Sequence, residues 1–351
     1  MPAELPALSV LDLVPVRSDQ TSADALAAAR ELARTADRAG YRRYWVAEHH
    51  NMPAVAATNP PVLIGMLAAA TERIRLGSGG VMLPNHAPLV VAEQFALLEA
   101  AFPGRIDLGI GRAPGSDPVT SWALRHGAGG VDDDAVSRFP EYVEQVEAMM
   151  SPAGVAVAVR GGEHPLRATP SASSTPTIWL LGSSDYSARL AAARGLPYVF
   201  AHHFSGEGTA QALALYRDGF RASSTLGEPR TLLTVNVAVA PTAEEAERRA
   251  LPQLLQMLGL RTGAPMVAQR TVEDAETIVA AGLPESHASL LEAMRRRWVI
   301  GDPESARAQL AELAATHGVD EVMVHPVAGA LRGEDPQRAV GREQTLSLLA
   351  A

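Results

Sequence analysis

The sequence predicts an α/β protein, a single (β/α)8 barrel of the TIM-barrel type over residues 1–351, with insertions at the C-terminal face. Two observations carry this. Between Tyr44 and Gly115, three short apolar runs each end in polar or glycine-rich residues: Tyr44–Ala47, Ile74–Leu76 and Ile106–Ile110. Helical patterns over Pro60–Thr71 and Leu89–Ala101 separate them. Strands alternating with helices of that length build βαβ units and a parallel sheet. The alternation then continues to eight strands, with no composition shift at any linker. That count favours a closed barrel, which fills roughly 250 residues or more as one unit.

In chain order, Leu8–Val14 is the first strand and Pro15–Ser22 the loop at its C-terminal end. Ser22 and Asp24 can cap a helix to about Arg38, which Gly40 stops. The second strand ends at Glu48-His49-His50, and Asn51–Pro61 is a long loop with three prolines. A third strand runs from Ile74 to Gly80 and a second proline-bracketed loop covers Val81–Pro88. The fourth strand ends at Gly111-Arg112, and Ala113–Ser137 reads as an excursion over the active face. Phe139–Met150 is an amphipathic helix, and Ser151–Pro176 a small hairpin with a proline-serine loop. Thr177–Leu181 and Tyr198–Ala201 are strands five and six, ending at Gly182-Ser183-Ser184 and His202-His203, each followed by a helix (Asp185–Arg194, Gly208–Ser223). Strand seven, Leu232–Ala240, leads into a helix over Ala243–Leu258, an irregular stretch over Gly259–Pro284 and a helix over Glu285–Val299. Asp302 with Pro303 is a clean start signal for a helix to His317. Strand eight is Glu321–His325, and Pro336–Ala350 is the closing helix.

The chain has 351 residues, 47% of them hydrophobic, enough for a large core. Its net charge of −9, without any stripe of Lys or Arg, argues against nucleic acid and anionic membrane surfaces as partners. The absence of cysteine excludes disulfides and thiolate metal sites and is compatible with a cytoplasmic protein. The N-terminal run MPAELPALSVLDLVPV lacks a basic region and a cleavage site, so it reads as a strand, not a signal peptide. No apolar run approaches the roughly 20 residues that span a bilayer.

In a parallel sheet of this kind the chemistry sits at the C-terminal strand ends. Gly182-Ser183-Ser184-Asp185-Tyr186-Ser187 is a strand end, a glycine turn and a helix N-terminus. Free N–H groups and the helix dipole there suit an anion, with hydroxyls from Ser183, Ser184 and Ser187; ordinary capping is the alternative, and Asp185 opposes an anion unless it points away. Arg112 can clamp a phosphate bidentately, or form a salt bridge to a loop acid. Gly77, Gly79 and Gly80 allow backbone to approach a flat ligand, or form a plain turn. Glu48-His49-His50 offers a general acid or base. Successive residues point to opposite sides of a strand, so at most one of His49 and His50 faces the barrel mouth. A zinc site would need a third ligand from His202, His203 or His325; histidines hydrogen-bonded in loops are the plainer reading. Trp45, Trp122, Trp179 and Trp298 are core or rim packing.

The segments YWVAEHH, IRLGSGGVMLPNHAPLVVAEQFALLEAAFPGRIDLGIGRAPG, LLGSSDYSARLAAARGLPY and VIGDPESARAQLAELAATHGVDEVMV together resemble the bacterial luciferase-like monooxygenases, a flavin-dependent barrel family. The resemblance covers the whole barrel. It implies that His49 is the active-site histidine assisting oxygen chemistry. It puts Gly79-Gly80 at a non-proline cis peptide beneath the isoalloxazine. It also sets Arg112, Ser183, Ser184 and Ser187 around the flavin phosphate. The luciferase branch carries a carboxylate at the place of Ser183 and a cysteine at the place of Gly111. The likeness is therefore to the wider monooxygenase group and not to the light-emitting enzymes.

The activity so implied is oxygenation of a small organic substrate by reduced FMN and O2 through a C4a-peroxyflavin. No dinucleotide G-x-G-x-x-G follows a strand, which fits delivery of reduced FMN by a separate NAD(P)H:flavin reductase. An F420-dependent oxidoreductase and a non-catalytic flavin-binding protein are the competing expectations. Apolar residues in the loops (Met52, Val55, Trp122, Leu258, Met266) point to a hydrophobic substrate. The family also implies a homodimer through barrel helices two and three, consistent with apolar Leu89–Phe102.

Overall fold

In the computed structural model, which describes residues 5–113, 117–126, 135–204 and 206–351, the chain opens with β1 (Ala7–Asp12), α1 (Ser22–Arg38), β2 (Arg43–Val46), α2 (Pro60–Ala68) and β3 (Arg75–Ser78). Next come β4 (Val81–Met82), a 3-10 turn over Leu83–Asn85, α3 (Pro88–Ala101), β5 (Ile106–Gly111), α4 (Pro118–His126), α5 (Phe139–Met150) and a hairpin of β6 (Val155–Val159) and β7 (Gly162–Leu166). The middle third holds β8 (Thr177–Gly182), α6 (Asp185–Arg194), β9 (Tyr198–Phe200), α7 (Thr209–Gly219) and β10 (Thr231–Val239). After α8 (Ala243–Arg261), α9 (Val272–Ala280), α10 (Glu285–Arg295) and β11 (Val299–Gly301), the chain ends with α11 (Pro303–His317), β12 (Glu321–Pro326) and α12 (Val340–Ala350).

Eight parallel strands form a ring in the order β1, β2, β3, β5, β8, β9, β10, β12, and β12 pairs back onto β1. This is the closed (β/α)8 barrel that the alternation predicts. The short strands β4 and β11 extend it beside β5 and β10. The lumen is filled by Leu11, Trp45, Trp179, Val199, Leu232 and Met323. Trp45 and Trp179 meet edge-on with centroids 5.6 Å apart. The two indoles fit because β3 and β5 carry glycine: a Cβ on Gly77 would lie 2.6 Å from Trp45 Nε1, and one on Gly109 2.0 Å from Ser78 O. The outward strand faces pack on the helices through a second layer that includes Val10, Tyr44, Leu76, Ile106, Leu180 and Val324.

The N-terminal end of the barrel is closed by charge. Buried Arg43 donates to Asp107 Oδ2 and Glu321 Oε1, both at 2.7 Å, and Arg75 adds a 2.7 Å bond to Asp107 Oδ1. At the other end, α8, α9 and α10 form a separate apolar cluster with Val327 and Ala328, which follow β12. This insertion sits on the C-terminal face and walls the site.

Several boundaries differ from the sequence reading. Thr21, not Ser22, caps α1, in a reciprocal box: Asp24 N donates to Thr21 Oγ1 (3.2 Å) and Thr21 N to Asp24 Oδ2 (3.0 Å). Asp302 caps α11 as its signal predicts, accepting from Glu304 N and Ser305 N at 3.0 and 3.1 Å. The loop read over Val81–Pro88 contains β4 and a 3-10 turn, because Val81 pairs with Ile110. The stretch after residue 258, read as irregular with short helical pieces, contains the last turn of α8 and one such piece, α9. The helix read over Glu285–Val299 stops at Arg295, since Val299–Gly301 pairs with β10 as a strand outside the ring of eight that no local periodicity announces. Residues 114–116 and 127–134 of the excursion read over Ala113–Ser137 lie outside the described residues; α4 occupies part of the rest.

Candidate active site

Two half-sites lie at the C-terminal strand ends. The first is a cavity of about 640 Å³. Leu11 of β1, His49 beyond β2, Gly79 beyond β3, His203 beyond β9, and Asn236 and His325 of β10 and β12 line its strand side. Gln253, Gln256, Met257, Leu260 and Arg261 line it from α8, and Met52, Val55, Phe204 and Met266 from the loops.

The polar groups on the strand side are held in fixed roles. Asn236 Oδ1 is 2.8 Å from His325 Nδ1, and Asn236 Nδ2 donates to His203 O at 2.9 Å. His203 Nδ1 pairs with Thr234 Oγ1. Because the Asn236 oxygen can only accept, His325 Nδ1 carries the proton. Burial pushes all three imidazoles toward the neutral form: His203 is held at about 4, His325 lies well below its ordinary value, and His49 is lowered. The His49 ring touches the cavity, yet its Nδ1 is buried and has no hydrogen-bond partner among the described residues. An orphaned buried nitrogen costs free energy unless a ligand or water satisfies it.

Glu48 and His50 are turned toward each other and away from the cavity lining. Glu48 is 1% exposed. Its Oε1 accepts from His50 Nε2 (2.8 Å) and His86 Nε2 (2.7 Å), and its Oε2 from Met82 N (3.0 Å). Burial by itself would raise this carboxyl; the His50, His86 and Met82 donors overcome it and hold the group at about 2. Glu48 thus ties the loop after β2 to the segment after β3.

Between β3 and β4 the Gly79–Gly80 peptide is cis. Neither glycine has a positive φ; what each lacks is room. A Cβ on Gly79 would lie 2.7 Å from Leu11 Cδ1, and one on Gly80 2.8 Å from Gly109 O. Gly77 serves the lumen packing of Trp45; of the three glycines only Gly79 lines the cavity, and Gly80 packs against the β5 backbone.

The second half-site joins β5 to β8. Gly111 pairs with Leu181, which brings Arg112 to the N-terminus of α6. The Arg112 guanidinium stacks 4.0 Å from the Tyr186 ring centroid and makes no ion pair among the described residues; the acids Asp132, Asp133 and Asp134 of the following loop lie outside them. The N-cap Ser184 is extended (φ −143°, ψ 163°), and its hydroxyl caps nothing. Asp185 is turned away: it accepts from Gln211 Nε2 of α7 at 2.7 Å. Ser183 and Ser184 are exposed, whereas Ser187 is buried, with its Oγ where a Gly182 Cβ would be, 2.4 Å away. A cation and an uncapped helix N-terminus side by side suit an anion. An apolar cavity floored by glycine backbone suits a flat ring.

No group of three or more His, Asp or Glu among the described residues is placed to hold a metal ion. Trp45 and Trp179 are lumen residues, Trp298 is buried under α8, and Trp122 is 49% exposed on α4. Sequence reasoning missed His86, Asn236 and Arg261. A single asparagine inside the apolar strand TLLTVNVAV was the signal for Asn236; nothing local marks the other two.

The luciferase-like monooxygenase family matches residues 8–321. The chain is 42% identical over 318 residues to YvbT of Bacillus subtilis (91% of this chain, 90% of the relative). It is 38% identical over 319 residues to a luciferase-like monooxygenase of Escherichia coli K12 (91% of each). It is 34% identical over 334 residues to the N-acetyl-S-alkylcysteine monooxygenase of Bacillus subtilis (92% and 94%). Among solved structures, apo-MsnO8 superposes with a TM-score of 0.84 at 34% identity, covering 99% of this chain and 97% of the other. At fold level only, two further structures are similar. A type II Baeyer–Villiger monooxygenase of Pseudomonas putida in complex with FMN has a TM-score of 0.72 at 18% identity (98% and 96% covered). An F420-dependent secondary alcohol dehydrogenase has 0.66 at 15% (99% of each).

Proposed function

This chain belongs to the luciferase-like monooxygenase family, and from that premise we propose that it is an FMN-dependent monooxygenase using O2 and reduced FMN supplied by a separate NAD(P)H:flavin reductase. One observation carries the choice: an arginine with no ion pair among the described residues stands beside an uncapped helix N-terminus, at the same end of the barrel as an apolar cavity lined by Gly79 and His49.

In this reading Arg112, the first N–H groups of α6 and the hydroxyls of Ser183 and Ser184 hold the phosphate. Ser187 supports them from beneath, against Gly182. Gly79 and Gly80 lie under the ring. FMN, when bound, supplies the oxygen activation. The chain's own part is binding, exclusion of water and proton handling. His49 is neutral at pH 7, because burial lowers it, so one ring nitrogen donates and the other accepts. A neutral imidazole at the cavity wall can stabilise a reacting oxygen by hydrogen bond or pass a proton to it. The apolar lining from Leu11, Met52, Val55, Met257 and Met266 keeps water from the reacting centre. It also suits an apolar organic substrate, in keeping with a relative that is an N-acetyl-S-alkylcysteine monooxygenase. F420, bound by a fold neighbour, is the competing cofactor.

Two further features belong to the proposal. Val62 and Met66 of α2 and Val90 and Leu97 of α3 are 60%, 48%, 48% and 58% exposed, an apolar surface that suits a homodimer through these helices. No helix among the described residues is long and apolar enough to cross a membrane, and the reading puts the chain in the cytoplasm beside its reductase.

Oxygen consumption on adding reduced FMN, and titration of FMN against riboflavin, test the cofactor. Arg112→Ala should weaken FMN by about tenfold or more and riboflavin little, the scale of one charge-assisted contact. Equal loss for both ligands removes Arg112 from the phosphate. Binding of F420 with no affinity for FMN replaces the cofactor.

A further inference from the structure

We propose that the substrate of this cavity is an apolar molecule bearing an anionic group, a carboxylate or its equivalent, and that Arg261 reads that charge. The inference deepens the functional reading and rests on it only in taking the cavity as the substrate pocket.

The cavity wall contributed by α8 is a single helical stripe: Gln253, Gln256, Met257, Leu260 and Arg261 follow the i, i+3, i+4, i+7, i+8 pattern of one face. The stripe changes character along its length. Gln253 is buried at 8% exposure, and its Oε1 is occupied by a 2.7 Å bond from Gln269 Nε2. Eight residues on, about 12 Å further along the axis, Arg261 and the 39%-exposed Leu260 stand at the rim. A long ligand lying along this face would keep its apolar body inside and carry one end to Arg261.

Among the described residues, Arg261 is the sole formally charged one lining the cavity; the other polar groups are neutral amides and histidines that burial keeps neutral, and no acid is among them. An arginine in the last turn of a helix ordinarily serves the helix dipole or pairs with a nearby carboxylate. Here no carboxylate pairs with it among the described residues, and its hydrogen bond goes to Phe204 O, across the cavity mouth. That bond uses one of five N–H donors and fixes the guanidinium at the entrance, leaving the others for a ligand. In a chain of net charge −9, a lone cation facing an apolar space selects for anions over neutral or cationic molecules of the same shape.

Isothermal titration with sodium octanoate and with octanol tests this, on FMN-saturated and on FMN-free protein. The wild type should bind octanoate about tenfold more tightly than octanol, the scale of one charge-assisted contact. Arg261→Gln should abolish the preference by weakening octanoate while leaving octanol unchanged. Arg261→Lys should restore part of it, and Arg112→Ala should leave it in place on FMN-free protein. Equal affinities in the wild type, no saturable binding of either probe, or a preference that survives Arg261→Gln overturns the proposal. An octanoate preference without FMN binding would leave Arg261 its role and refute the flavin reading. FMN binding without the preference would do the reverse.

Discussion

His49 and Glu48 are adjacent in the chain and do opposite work. His49 lines the cavity and keeps a buried Nδ1 without a partner among the described residues, which costs free energy. Glu48 accepts three hydrogen bonds, at least one on each oxygen, and crosses from one loop to the next. Glu48→Ala would leave the Nε2–H groups of His50 and His86 and the Met82 N–H without their acceptor. The expected loss is about 2–4 kcal/mol, measured as a lower urea midpoint at unchanged slope. An unchanged midpoint would mean that the Glu48 cluster is only a surface contact. The adjacent acid and histidines were legible as a polar strand end. Which side each faces was set beyond the end of β2, and His86, 38 positions away, could be joined to Glu48 only by the tertiary structure.

Among the elements, α6 separates a structural from a functional use of the same helix end. Its N-cap serine makes no capping bond, so the helix forgoes a stabilisation that Ser, Asp or Asn normally gives. Ser184→Asp should supply that bond and a favourable charge at the N-terminus. The gain is expected at about 0.5–1 kcal/mol in thermal or denaturant unfolding, while the new carboxylate repels the FMN phosphate and weakens its binding. Stabilisation with unaltered FMN affinity would show that the anion does not sit there. The strand–glycine–helix signal was plain in the sequence. The direction of Asp185 and the burial of Ser187 depend on α7 and on the tight approach of Gly182, neither of which a local pattern contains.

At the scale of the whole molecule, ring closure buries histidines that titrate near neutrality when exposed. The unfolded chain takes up protons on histidine as pH falls through about 6.5, while folded His203 resists until about 4 and burial also holds His325 well below its ordinary value. Between these limits the unfolded state binds more protons, so stability falls as pH falls; above 6.5 neither state is protonated and the effect vanishes. Glu48 adds a second window: its depressed carboxyl stabilises the fold above 4.5 and loses that contribution as pH falls toward 2. The melting temperature should therefore be flat from pH 7 to 8 and decline steadily below 6.5. His325→Asn should flatten part of that decline. A curve equally flat from pH 8 to 4.5 would show that these histidines are solvated in the folded protein.

By itself the sequence determined the strand–helix alternation, the helix starts at Asp302 and Pro60, and the strand ends where chemistry could lie, because all of these follow from periodicity and capping within a few residues. The tertiary structure decided that Gly77 makes space for Trp45, that Glu48 binds His86, that Asn236 orders His325, and that Arg261 overlooks the cavity. Each of these joins positions far apart in the chain, and such pairs exist only once eight strands close into a ring with a fixed register and α8 lies across its open end.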